Sequence, residues 1–194
     1  MALSDIELVQ EFKDGSEQAF AELIERFQHR VYNTTLRMLG NREDALDTAQ
    51  ECFIKVYKNI KKFKGDSSFS TWLFRITTNA CRDELRKRKR RLPVYTDINS
   101  DDENNTIQNI SNGSNEPEKI TISRDINESI QELVNQLPED QKLVFILREF
   151  QDLSYQEIAE ILDISMGSVK SRLSRARRSL RQDLNKIIKN GGLE

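Results

Sequence analysis

Between Leu92 and about Ile120 the chain consists largely of Asn, Asp, Ser and Glu, with too few apolar side chains to offset the entropy of ordering it. No single core can run through such a stretch. The 194 residues therefore divide into two units, each short of core by itself. Outside that stretch the sequence favours helix over sheet. There are only 3 prolines and 7 glycines, and the runs of Leu, Ile, Glu, Lys and Arg lose little rotamer freedom in a helix. The expected fold is all-α: two small helical domains joined by a flexible acidic linker.

The formal net charge of −2 conceals a sorting of charge along the chain. Arg86 to Arg91 is an unbroken basic run, and residues 170 to 189 carry eight Lys or Arg against Asp183 alone. Residues 97 to 118 carry six acids and no base. A segregated pattern of this kind points to nucleic-acid binding that the whole-chain charge would hide. The acidic linker either stays off DNA or travels through a basic channel. No apolar run reaches the roughly 20 residues that a membrane span needs, and the first residues lack the regions of a signal peptide, so a cytoplasmic protein with no membrane insertion is expected. Cys52 and Cys81 have no second cysteine or histidine at ligand spacing and read as small hydrophobes, so no metal is expected.

In the N-terminal half, Ser4 with Glu7 forms a capping box for a short helix that Gly15 ends. A second helix from about Glu17 places Phe20, Leu23, Ile24, Phe27, Val31 and Met38 on one stripe and stops at Gly40. Asn41 caps a third helix to about Ile60. Its Ala45, Ala49, Cys52, Val56 and Ile60 face inward, while Asp44, Asp47 and Glu51 form an acidic stripe beside Leu46, Gln50 and Ile54. After a loop from Lys61 to Phe69, Ser70 or Thr71 caps a fourth helix to Arg91. Trp72, Leu73, Ile76 and Ala80 point inward there, and Arg75, Asn79, Arg82 and Arg86 line an outer polar face.

In the C-terminal half, a helix from about Arg124 to Gln136 stops before Leu137-Pro138, and another runs to Glu149. Ser154 with Glu157 forms a second capping box for a short helix, and Asp163-Ile164-Ser165 supplies a turn. The closing helix, from about Met166 to Ile188, buries Val169, Leu173, Ala176, Leu180, Leu184 and Ile187. Its opposite face carries Ser168, Ser171, Ser174, Arg175 and Arg178, with Lys170, Arg172 and Arg177 on the flanks.

A short helix, a tight turn and a longer basic helix with small polar residues near its start suit a helix-turn-helix that enters a major groove. Arg175 can fork onto guanine, serines can bond base edges, and flanking cations can neutralise phosphates. The fourth helix offers another kind of surface. Its cations and amide, with Phe63, Phe69 and Trp72 nearby, suit unstacked bases, although Trp72 is also at least partly core. The chain has one histidine, no phosphate-binding loop and no nucleophile motif, so neither an enzyme nor a cofactor is expected.

In order, these elements resemble an extracytoplasmic function sigma factor of the sigma-70 family. Asp47-Thr-Ala-Gln50-Glu51-Cys-Phe53-Ile-Lys55-Val-Tyr57 resembles that family's core-binding segment. Phe69-Ser-Thr-Trp72-Leu-Phe-Arg75-Ile-Thr-Thr-Asn79 resembles its promoter-melting segment. Leu153-Ser-Tyr-Gln-Glu157-Ile-Ala159 with Gly167-Ser-Val-Lys170-Ser-Arg172-Leu-Ser-Arg175 resembles its minus-35 reader. The resemblance implies region 2 over residues 1–92, a linker over 93–121 and region 4 over 122–190.

It further implies that Asp44, Asp47, Gln50, Glu51 and Phe53 bind core RNA polymerase at the β′ clamp helices, with the β subunit a further contact. Lys55, Phe63, Lys64, Asn79 and Arg82 would meet the minus-10 strand. Arg148, Gly167, Ser168, Lys170, Ser171, Arg172, Ser174, Arg175 and Arg178 would meet minus-35 promoter DNA. Ser174 stands where some members carry an aromatic residue. An anti-sigma factor is the expected regulator.

Two rivals compete with this reading. A conventional dimeric helix-turn-helix regulator explains residues 124 to 188 but neither the second basic helix nor the acidic stripe. An adaptor that binds polymerase without reading DNA does not explain the serine and arginine face of the last helix.

Overall fold

The computed structural model describes residues 3–91 and 131–190, with side chains to residue 186. The expected linker and residues 124–130 of the expected helix lie outside the described residues, as does the side chain of Ile187. Among the described residues all regular structure is helical: α1 (Asp5–Lys13), α2 (Glu17–Leu39), α3 (Arg42–Asn59), a 3-10 turn (Ile60–Lys62), α4 (Phe69–Arg91), α5 (131–135), α6 (Glu139–Glu149), α7 (Tyr155–Leu162) and α8 (Met166–Asn190).

The local signals in the sequence set most boundaries. The Ser4 and Glu7 capping box forms, with the Ser4 N–H donating to Glu7 Oε2 at 2.7 Å. Gly40 ends α2 in the left-handed region at φ 70, which costs glycine no steric penalty. The Asp44 N–H donates to Asn41 Oδ1 at 3.0 Å and starts α3. At α4 the cap differs from expectation. Ser68 takes the role expected of Ser70 or Thr71, accepting from the Thr71 N–H at 3.0 Å. The reason is burial: Phe69 is drawn into the core against Phe27, with ring centroids 5.4 Å apart, and this pulls the helix start forward.

Helices α1 to α4 enclose a first core of Leu8, Phe12, Phe20, Leu23, Phe27, Val56, Ile60 and Leu73. A second core joins the two halves. Met38, Leu39, Phe74 and Cys81 from the N-terminal half pack with Val134, Leu143, Leu147, Ile158, Leu162, Val169 and Leu173 from the C-terminal half. Helix α4 is thus covered on two sides. Its second buried side is formed by Phe74, Thr77, Thr78 and Cys81; of the expected outer polar face, Asn79 and Arg86 are exposed and Arg82 half-buried, while Arg75 reaches across to Glu160.

Leu184 also departs from expectation. It is 47% exposed rather than buried; the second core takes Val169 and Leu173 from the earlier turns of α8. Leu180, one turn before it, is half-buried against the second core.

Burial gives the folded chain a distinct alkaline response. It pushes the Cys52 thiol up to about 11 and raises the Cys81 thiol as well. The unfolded chain sheds its thiol protons from about pH 9.0, while the folded chain keeps them. Stability present below that pH is therefore lost as pH rises. Lys142, which burial pushes down to about 8, acts in the opposite sense between there and 10.5, because the unfolded chain then binds the extra proton. Above pH 9.0 the two thiols outweigh the one amine. The thermal midpoint is expected to fall above that pH, and replacing both Cys52 and Cys81 with Ala should abolish the fall. A midpoint that holds level or climbs in the wild type would contradict this.

Candidate polymerase and nucleic-acid interfaces

The acidic stripe of α3 borders a groove rather than standing alone. Asp47, Gln50 and Glu51 are exposed and Phe53 is half-buried. Leu46, 44% exposed, and Ile54, 52% exposed, lie beside them. With Ile24, Gln28, His29 and Tyr32 of α2 and Arg42 of α3, the groove has a volume of about 640 Å³. A largely apolar groove with exposed carboxylates next to it on the same helix fits a partner helix carrying apolar and basic residues. Asp44 stands apart, because its carboxylate accepts from Arg88 of α4. Glu51 pairs with Lys55 one turn on, at 3.7 Å. The sequence showed Leu46 and Ile54 beside the acids, but the contribution of α2 depends on how the two helices pack.

A second hollow, of about 390 Å³, lies between α3, the 3-10 turn and α4. Lys55, Asn59, Lys62, Trp72, Ile76, Asn79 and Ala80 line it. Of the expected minus-10 residues, Lys55 and Asn79 are brought together here. Phe63 is only 6% exposed; its ring backs Trp72 at 5.2 Å between centroids, with the Lys13 ammonium 6.0 Å from it. Lys64 is exposed on the loop and Arg82 is half-buried further along α4, and neither lines the hollow. Asn59 and Lys62 were missed, although they follow Lys55 at helical spacing. An aromatic ring, two amides and two ammonium groups around one small hollow suit a single unstacked base beside a phosphate.

The helix-turn-helix is built from α7 and α8. Its Ser154 and Glu157 capping box forms, with the Ser154 N–H donating to Glu157 Oε2 at 2.8 Å. Asp163 turns the chain in the left-handed region at φ 53, a conformation that an Asp side chain tolerates. The Ser168 N–H donates to Ser165 Oγ at 3.1 Å, which makes Ser165 the cap of α8. Gly167 is exposed, and a Cβ there would meet only Ser165 Oγ at 3.7 Å, so packing does not demand glycine at this position.

Lys170, Ser174 and Arg178 line one hollow on α8 together with Tyr155, Arg177, Arg181 and Gln182. Ser171 and Arg175 are exposed on the same helix. Three other expected contacts are engaged inside the fold. The Ser168 hydroxyl shares a hydrogen bond with Ser165 at 2.9 Å. Arg172 pairs with Asp140 of α6 at 2.8 Å. Arg148 donates to the Leu153 carbonyl at 2.9 Å, and its guanidinium lies 5.5 Å from the Tyr155 ring centroid. Arg177 donates twice to Glu149, at 3.1 and 2.5 Å, and this carboxylate raises its already high pKa.

Comparison with known proteins agrees with this geometry. The family model for Sigma-70 region 2 matches residues 23–91, and that for Sigma-70, region 4 matches residues 127–180. The ECF RNA polymerase sigma-E factor of Haemophilus influenzae is 35% identical over 186 residues, covering 96% of this chain and 98% of that protein. The ECF RNA polymerase sigma factor SigW of Bacillus subtilis is 35% identical over 179 residues, covering 92% and 96%. In fold, the chain is similar to CnrH in complex with the cytosolic domain of CnrY, with a TM-score of 0.69 at 22% identity, covering 94% of this chain and 97% of that one. It is also similar to the sigma factor RpoE in complex with the anti-sigma factor NepR from Bartonella quintana, with a TM-score of 0.67 at 23% identity, covering 87% and 98%. The chain belongs to the sigma-70 family, in its extracytoplasmic function group: it is a sigma factor, which directs promoter-specific initiation of transcription. The match to region 2 removes the conventional regulator as a rival.

The position of Arg148 gives it a structural part that can be measured. Arg148→Ala should lower unfolding free energy by about 1.5 kcal/mol, the worth of a hydrogen bond from a charged group. Chemical denaturation checks this, and unchanged stability would mean that Arg148 is free for DNA.

Proposed function

We propose that the chain docks on core RNA polymerase through the α2–α3 groove, with Asp47, Gln50, Glu51 and Phe53 facing the β′ clamp helices. What carries this reading is the combination of exposed Leu46 and Ile54, which line the groove, with Asp47 and Glu51 exposed beside them on α3. Asp44 supports the same face indirectly, by tying α3 to α4 through Arg88. The β subunit is a second contact, made by the C-terminal half.

The hollow between α3 and α4 receives one base of the minus-10 strand. Asn79 reads its edge, Trp72 lies beside its ring, and Lys55 and Lys62 hold the neighbouring phosphates. Lys64 and Arg82 act further along the strand, while Phe63 supports Trp72 from behind. Helix α8 enters the major groove at minus-35. Arg175, Ser171 and Ser174 approach base edges, and Lys170 and Arg178 meet phosphates. Gly167 and Ser168 let the helix start come close to the backbone, and Arg172 and Arg148 hold the reader in shape.

Residues 1–92 and 122–190 are the two working domains, with 93–121 between them. The chain acts by binding rather than by catalysis, needs no cofactor and works in the cytoplasm. An anti-sigma factor that covers the polymerase-binding face is its regulator. Support for that partner comes from relatives such as the Bartonella quintana RpoE, which is solved with one.

Reversing Asp47 and Glu51 to Lys tests the docking face. Exposed charges contribute little to stability, so the fold should survive. Co-purification with core polymerase is expected to fall at least about tenfold, the effect of like charges placed across an interface. Undiminished co-purification would remove the groove from the interface.

A further inference from the structure

Asn59 stands where α3 gives way to the 3-10 turn, and this change of winding sets its surroundings. Lys55 lies one turn before it on α3. The tighter winding of the turn brings side chains three apart onto one edge, so Lys62 follows Asn59 on the same side. These three residues form one wall of the hollow beside α4. Trp72, Ile76 and Asn79, spaced at i, i+4 and i+7, form the other.

The apolar part of the lining is rigid. Phe63 and Phe69 hold the Trp72 ring at 5.2 and 6.0 Å between centroids, and Ile76 lies one turn on. The groups that can hydrogen-bond a base edge are the carboxamides of Asn59 and Asn79, and they are not equivalent. Asn79 is exposed, and among the described residues its amide has no hydrogen-bond partner, so it is free to present either its oxygen or its nitrogen.

The amide of Asn59 is fixed. Its Nδ2 donates to the Lys55 carbonyl at 2.8 Å. A carbonyl oxygen only accepts, so the nitrogen must face it, and Oδ1 is the end left for a ligand. Among the described residues nothing donates to that oxygen. Asn59 therefore enters the hollow as an acceptor alone.

The four bases divide on this point. Adenine and cytosine carry an amine, N6 or N4, beside a ring nitrogen that accepts. Guanine and thymine carry a keto oxygen in the same place, beside a ring N–H. Asn79 can turn to suit either kind of ring nitrogen. Asn59 cannot: its oxygen takes a hydrogen bond from the amine, but set against a keto oxygen it leaves two acceptors facing each other without a donor.

We propose that Asn59, as a fixed acceptor, makes the hollow selective for adenine or cytosine over guanine and thymine. The proposal rests on the assignment of this hollow as the minus-10 base site. With Lys55 and Lys62 on the flanking phosphates the base is held one way round, so its amine or keto edge meets Asn59 and its ring nitrogen meets Asn79.

The test is transcription by core polymerase carrying the full chain. The template is a promoter recovered by start-site mapping, its minus-10 element randomised and each copy identified by a barcode in its transcript. At one position the wild type is expected to favour adenine or cytosine over guanine and thymine roughly tenfold, the effect of one hydrogen bond at a base edge. Asn59→Ala should abolish that preference and leave those at other positions as they are. Purine, which is adenine without its amine, sharpens the reading. Placed at that position, it should lower wild-type transcription roughly tenfold against adenine and make no difference to the variant.

A uniform fall across the library with every preference kept would make Asn59 a merely structural residue and overturn the proposal. Unchanged preferences in Asn59→Ala would overturn it too, as would a wild-type choice of guanine or thymine at the position that Asn59 governs. Asn79→Ala separates this failure from that of the base site itself, since it should reduce promoter opening, read by permanganate, whichever base is present. If Asn79→Ala impairs opening while Asn59→Ala changes no preference, Asn59 is not the selector but the hollow remains the base site. If neither variant has an effect, both assignments fall.

Discussion

Helix α4 is buried on two sides at once, and both halves of the chain depend on that. Phe69, Leu73 and Ala80 close the first core, and Phe74 and Cys81 enter the second. Fully burying a Phe side chain is worth about 1.5–3 kcal/mol, so Phe74 alone is a substantial tie between the halves. Thr77 and Thr78 sit inside without cost to hydrogen bonding, because their hydroxyls donate back to the carbonyls of Leu73 and Arg75 at 3.0 and 3.1 Å. Between the two buried sides runs the strip of Trp72, Ile76 and Asn79 that lines the hollow beside α3. The same packing that stabilises α4 thus decides which of its residues line that hollow.

The basic residues divide by what they touch. Arg88, Arg172 and Arg177 are paired with Asp44, Asp140 and Glu149, contacts that fix α3 to α4 and α8 to α6. Lys170, Arg175 and Arg178 remain exposed on α8. Arginine suits the first task because its planar fork gives two donors to one carboxylate. Held by such pairs, α8 keeps its neighbouring serines and cations in a fixed frame, as the proposed base reading would require.

What was legible in the sequence was local or repeated. The capping boxes at Ser4 and Ser154, the Asn41 cap and the Gly40 stop each depend on a few adjacent residues, and each forms as expected. The order of the three motifs carried the family. Features that depend on long-range packing were not legible. The cap of α4 moved to Ser68 because Phe69 is wanted in the core. Arg75 faces α7 and Leu184 is exposed, and the sequence does not say where the second half docks or where the second core stops along α8. Phe63, an aromatic in a loop, suggested a base contact, yet its ring fills space behind Trp72. Asn59 and Lys62 join the hollow only because the chain tightens into a 3-10 turn after Asn59.

The most direct measurement is genome-wide transcription in vitro by bacterial core polymerase with and without the purified chain, mapping every start site. New starts that share two spaced upstream elements are the expected result, since one half of the chain reads each. Unchanged starts, with the chain alone holding a single duplex site as a dimer, would contradict it.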